Sequence, residues 1–140
     1  MIEFCFETEF ELQDKKRYVE WLAQIVASEG REVGNLSFVF CDDTYLLEIN
    51  QKFLGHDSLT DVITFDYSDD DVLFGDVFIS TERLKENSYK FNSKFVDELQ
   101  RVMAHGVLHL LGYDDKSDDD SKEMRSKEEE KMKLFHVEHQ

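Results

Sequence analysis

Apolar and polar positions along the 140-residue chain repeat with two different periods, and the switches between them mark out the elements. Phe4, Phe6 and Phe10 alternate with Glu3, Glu7 and Glu9, which predicts a half-buried first strand. From Asp14 to Ser28 the spacing becomes helical: Tyr18, Trp21, Leu22, Ile25 and Val26 share one stripe, and Glu29-Gly30 ends it. Leu36, Phe38, Val39 and Phe40 make Asn35–Cys41 a second strand. Asp42-Asp43-Thr44 then caps a short helix running through Tyr45, Leu46, Ile49 and Phe53 to Gly55. Leu59–Tyr67 and Val72–Ile79 read as two strands joined by an Asp69-Asp70-Asp71 turn.

Three helices follow. Ser80-Thr81-Glu82 opens one that reaches about Tyr89. Ser93 is expected to cap a longer one, whose buried stripe is Phe95, Val96, Leu99, Val102, Met103, Gly106, Val107 and Leu110. Ser117 or Asp118 starts the last, with Met124, Met132 and Phe135 as its few apolar contacts. The order β-α-β-α-β-β-α-α-α predicts an α+β fold. A single domain, residues 1–140, would carry a four-stranded mixed sheet with about five packed helices.

Composition narrows the class. Hydrophobic residues make up 41% and charged residues 34%, enough for a core without staples. No apolar run is long enough to span a bilayer, and Met1–Glu7 has neither the basic nor the apolar part of a secretory signal. Cys5 and Cys41 form no close pair and are expected to be reduced thiols in a cytoplasmic protein. The net charge of −16 argues against nonspecific nucleic-acid binding, which needs lysine and arginine on phosphates. The charge is uneven, however. Asp114–Glu130 holds nine acidic and four basic residues and reads as a solvated helix face, while Arg83, Lys85, Lys90, Lys94 and Arg101 gather upstream.

One stretch carries chemistry: His105-Gly106-Val107-Leu108-His109-Leu110-Leu111-Gly112-Tyr113-Asp114-Asp115. Side chains at i and i+4 stack on one helix face, so His105 and His109 can reach a single ion. A bare HxxxH is common on amphipathic helices. The glycine break and the carboxylates beyond it sharpen the pattern, because the turn at Gly112 can bring Asp114 or Asp115 round as a third ligand. Three protein ligands leave a coordination position open for water, the arrangement of catalytic zinc. Gly106 stands where zinc peptidases of the HExxH type carry their glutamate base, so peptide hydrolysis is disfavoured. As a glycine it instead permits another element to approach the helix closely.

HGVLHLLGYD resembles the signature HGxLHLxGYDH of the YbeY family of bacterial endoribonucleases and rRNA maturation factors. Asn50 with Thr60-Asp61-Val62-Ile63-Thr64-Phe65 is similar to that family's N…T-D/N-V-L-S-F segment, and Gly75-Asp76-Val77-Phe78-Ile79-Ser80 to its G-D-I-x-I-S strand end. The resemblance implies a single-strand-specific metallo-endoribonuclease in 16S rRNA 3′-end processing, ribosome maturation and quality control. It implies one Zn²⁺ per chain, held by His105, His109 and the residue at position 115, where the family's third histidine is replaced by Asp115. A carboxylate oxygen is an acceptable zinc ligand, and it would make the site more hospitable to harder ions such as manganese. No catalytic side chain is expected beyond the water on the metal.

The chain departs from the family pattern elsewhere. A tyrosine-arginine pair is replaced by Phe53-Leu54, which removes a cation that His56 or Lys52 could partly restore, and a proline is replaced by Asp66. Arg83, Lys85 and Arg101, with Lys90, are the candidate RNA contacts. The expected partners are rRNA and the small ribosomal subunit, together with basic ribosomal proteins that suit an acidic exterior; membrane and DNA are not expected. A metal-stabilised assembly factor without catalysis is the second reading, and a zincin-like peptidase the third.

Overall fold

The computed structural model describes residues 1–137. Its sheet contains β1 (Ile2–Phe6), β2 (Glu32–Cys41), β3 (Val62–Asp66) and β4 (Val72–Ser80), in the spatial order β1-β2-β4-β3. β1 and β4 both run parallel to β2, and β3 is antiparallel to β4. The helices are α1 (Lys15–Ser28), α2 (Asp43–Ile49), α3 (Thr81–Lys90), α4 (Phe95–Leu110) and α5 (Asp118–Val137), with a π-helical turn at Asn50–Leu54 after α2. The α+β class, the mixed four-stranded sheet and the five helices match the sequence expectation.

Alternation decides which side of the sheet each residue covers. Leu36, Phe38 and Phe40 of β2 lie beside Gly75, Val77 and Ile79 of β4, and all are buried on the face that α1, α4 and α5 cover. Trp21, Leu22, Ile25 and Val26 from α1 meet Val102, Met103, Ala104 and Val107 from α4 in that layer. The opposite face carries a smaller cluster, Cys41, Leu46 and Ile63, beneath α2. Burial pushes the Cys41 thiol up to about 12, so it is an inert packing group.

Four local expectations are corrected. β1 ends at Phe6, and Phe10 packs from the following bend onto Phe40 with ring centroids 4.9 Å apart. β3 begins at Val62 rather than Leu59, which is 53% exposed where no strand partner covers it. Ser93 does not cap α4: the N-cap residue is Lys94, no side chain closes the first turn, and Ser93 Oγ is buried without a partner. Val96, in the first turn of α4, leaves the stripe at 51% exposed. The cap of α5 is as expected, Ser117 Oγ accepting from the Asp120 amide at 3.0 Å.

The helix that carries the histidines sits unusually near the sheet. A Cβ on Gly106 would lie 2.7 Å from Val77 Cγ1, so only glycine lets α4 settle onto β4. α5 then crosses α4 and buries Met124, Glu128, Lys131 and Phe135, a stripe at helical spacing. Two of those four are charged, an unusual composition for a buried face, and both bear on the site. Trp21 Nε1 donates to the Lys131 carbonyl at 2.7 Å and locks α1 to α5.

Candidate metal centre

α4 delivers His105 and His109 one turn apart, and their Nε2 atoms lie 2.9 Å from each other. The chain leaves the helix through Gly112, whose φ of 104° is a left-handed conformation that side chains resist. That reversal returns Asp115 to the histidines, with Oδ2 3.5 Å from His105 Nε2 and 3.6 Å from His109 Nε2. Asp114 turns away, into a separate depression beside Glu29, Arg31 and Tyr113. Of the two carboxylates the sequence left open, the structure brings Asp115 to the histidines.

The outer nitrogens decide what the inner ones do. His105 Nδ1 lies 2.7 Å from Glu128 Oε2, and His109 Nδ1 lies 3.0 Å from the Tyr113 carbonyl. A carbonyl only accepts, and an ionised carboxylate only accepts, so each Nδ1 carries the hydrogen and each neutral ring presents a bare Nε2 lone pair. Two lone pairs facing each other at 2.9 Å repel unless a proton or a metal ion lies between them. With zinc bonds of about 2.0–2.1 Å, the edge of a tetrahedron is roughly 3.3 Å. The three edges here, 2.9, 3.5 and 3.6 Å, bracket that value. The donor set of two imidazoles and one carboxylate fits a zinc-class ion and leaves one side open.

Charge around His105 is strongly negative. Burial alone would disfavour its protonated form, but Glu128 above all, then Asp115 and Asp61, outweigh that and hold the imidazole above the usual histidine range. Glu128 is itself fixed by Arg101, whose Nη1 donates to Oε1 at 3.0 Å. Asp61 approaches from the start of β3, where burial pushes its carboxyl up and Asn87 Nδ2 donates to it at 3.4 Å. The loop bearing Asp115 has its own anchor. Tyr113 Oη donates to Glu29 Oε1 at 2.6 Å, and Lys131 Nζ donates to Glu29 Oε2 at 2.8 Å. Burial works against the Glu29 charge, but the hydrogen bonds from Lys131 and Tyr113 prevail and bring its pKa down to about 2.

Two cavities meet at His105 and Asp115. One, of about 370 Å³, runs past Asn50, His56, Thr60 and Asp61 to both histidines. The other, of about 710 Å³, lies between the α3–α4 turn and α5 and includes Arg101. Of the expected RNA contacts, Arg101 therefore lines a cavity, although its charge is committed to Glu128. Arg83 is instead turned to Asp43 on α2 at 3.1 Å, and Lys85 is exposed on α3; neither lines these cavities. His56 does line the first cavity, whereas Lys52 lies over the Phe53 ring.

Sequence reasoning missed Glu128 and gave Asp61 no role. Glu128 hid inside the acidic run of the last helix; its position four residues after Met124, a buried anchor, was the available signal.

A family model described as Endoribonuclease YbeY matches residues 4–136. The chain is 54% identical over 137 residues to a protein of that name from Flavobacterium psychrophilum, covering 98% of both chains. It is 49% identical over 138 residues to one from Flavobacterium johnsoniae, covering 99% of both. The solution structure of TM1509 from Thermotoga maritima superposes with a TM-score of 0.69 at 33% identity, over 99% of this chain and 91% of that one. With a family model spanning nearly its whole length and relatives this similar, the chain belongs to the YbeY endoribonuclease family.

Proposed function

We propose that this chain, an endoribonuclease by family, cuts single-stranded rRNA near the 16S 3′ end during maturation of the small ribosomal subunit. The proposed ligands are His105, His109 and Asp115, holding one zinc-class ion per chain. The observation that carries this reading is the convergence of two bare Nε2 atoms and one carboxylate oxygen where two cavities meet. An ion held by these three residues would supply Lewis acidity toward a phosphoryl oxygen and lower the pKa of a bound water.

The protein's own groups do the positioning. Glu128 and the Tyr113 carbonyl keep both imidazoles in the tautomer that offers Nε2. Asn50 Nδ2 donates to the Ser58 carbonyl at 2.9 Å and steadies the loop that forms one wall of the smaller cavity. His56 on that wall supplies a donor, and a cation when protonated, for a phosphate entering the cavity. With Arg101 paired and Leu54 in place of the family arginine, few cations face the reacting phosphate, which supports slow turnover.

The proposed location is the cytoplasm, with basic ribosomal proteins as further partners for an exterior of net charge −16. Among the described residues no helix is long and apolar enough to cross a membrane. An assembly factor without catalysis is not favoured by relatives named as endoribonucleases, and Gly106 removes the peptidase base. The test gives purified protein a single-stranded RNA containing the 16S 3′ precursor end, with His109→Ala purified in parallel. Cleavage by the wild type alone is expected. Equal cleavage by both would assign the activity to a contaminant and sink the reading.

A further inference from the structure

The larger cavity has a wall that the metal centre does not use. Glu98, on α4, is 8% exposed and lines it, yet among the described residues nothing donates a hydrogen bond to its carboxylate. Burial pushes the Glu98 carboxyl above the usual carboxylate range, with Arg101 acting against it. An ionised carboxylate in that position is stabilised by a ligand bringing N–H donors. Phe91 stands at the rim, 61% exposed, with the Lys90 ammonium 5.5 Å from its ring centroid, and offers an aromatic face on which a base can stack. Arg125, exposed on α5, lines the opposite side. A volume of about 710 Å³ accepts a nucleotide, and His105 and Asp115 form the end wall shared with the metal centre.

We propose that this groove is a nucleobase subsite next to the cleaved phosphate, in which Glu98 reads guanine and Phe91 stacks on its face. The inference rests on the ribonuclease reading above. Bases of single-stranded RNA are recognised by stacking and through their Watson–Crick edges. Guanine alone has two adjacent donors on that edge, N1–H and N2–H, which match the two oxygens of one carboxylate. Adenine and cytosine offer one amino group beside an acceptor nitrogen, and uracil offers one imino group between two carbonyls; each sets an acceptor against the second oxygen. Arg125 is placed for the phosphate on the outer side of that nucleotide.

The test measures kcat/KM on short single-stranded RNAs identical except for one nucleotide, G, inosine, A, C or U, moved stepwise across the cleavage position. Wild-type protein is expected to prefer G at one fixed step by about 10- to 100-fold, the usual worth of a bidentate base contact. Inosine, which lacks the 2-amino group, should fall between G and the others. Glu98→Gln keeps the size of the side chain and should flatten the ranking with zinc content unchanged. Phe91→Ala, at an exposed rim position, should raise KM for every substrate and leave kcat nearly alone. A wild type without base preference, or a Glu98→Gln variant with the wild-type ranking, overturns the proposal. Cleavage of all substrates by His109→Ala would instead overturn the ribonuclease reading beneath it.

Discussion

Replacing Glu128 by glutamine isolates the link between α5 and the metal centre. The carboxylate bridges two donors, His105 Nδ1 at 2.7 Å and Arg101 Nη1 at 3.0 Å, in a position 6% exposed. Glutamine has the same shape but one carbonyl oxygen, so it can accept from His105 or from Arg101 and turns an amide donor toward the other. If Arg101 takes the oxygen, His105 Nδ1 faces a donor, and the tautomer that offers Nε2 is no longer favoured. Loss of such a partner typically weakens metal binding 10- to 100-fold, or about 1.4–2.7 kcal/mol. The metal-free fold loses less than a dry ion pair would, because the Arg101 side chain remains 22% exposed; about 1–3 kcal/mol is expected. Zinc affinity is measured by competition with a chromophoric chelator near neutral pH, and stability by urea unfolding of the stripped protein. A variant that unfolds earlier but binds zinc as tightly as wild type would refute the reasoning, leaving Glu128 as a strut only.

Three further outcomes follow from the same geometry. Asp115→Ala should lower zinc affinity by about 10-fold or more, Asp115→His should restore it, and Asp114→Ala should leave metal content unchanged because Asp114 faces another depression; retained metal in Asp115→Ala would remove Asp115 from the ligand set. Gly106→Ala forces a methyl to 2.7 Å from Val77 and should destabilise by about 1–3 kcal/mol in urea unfolding, where an unchanged midpoint would show that α4 does not depend on that close approach. Glu29 has its folded pKa depressed to about 2, so its contribution is present above the unfolded value near 4.3 and is lost as pH falls toward 2. The full shift converts to roughly 3 kcal/mol, and screening at the protein surface reduces it to about 1–2 kcal/mol. The stability gap between wild type and Glu29→Gln should therefore be open at pH 6 and closed near pH 2; a gap of constant size would locate the effect in packing.

Much of the site could be read from residue types and spacing because the relevant geometry is local. His105 and His109 share a face of any α-helix, Gly112 is the residue that permits the reversal, and a carboxylate three residues on is within reach of both rings. The order of strands and helices is local in the same sense, since period and turn chemistry state it segment by segment. The expected cap at Ser93 and the buried place for Val96 failed at a helix end, where a turn with φ of 53° at Asn92 sets the entry rather than capping preference.

The rest depends on how separate elements dock. Glu128 meets His105 across 23 residues only because α5 crosses α4 with Met124 and Phe135 as its anchors. Taken alone, the acidic run around Glu128 is a solvated surface, and most of it is. Lys131 becomes a buried clamp on Glu29, and through Tyr113 on the Asp115 loop, by the same docking. Arg83 and Arg101 looked equivalent as cations in sequence, yet one faces Asp43 and the other Glu128 beside the metal centre. Charge in a sequence has a sign but no neighbour; packing supplies the neighbour, and with it the separation and the desolvation that set what the charge does.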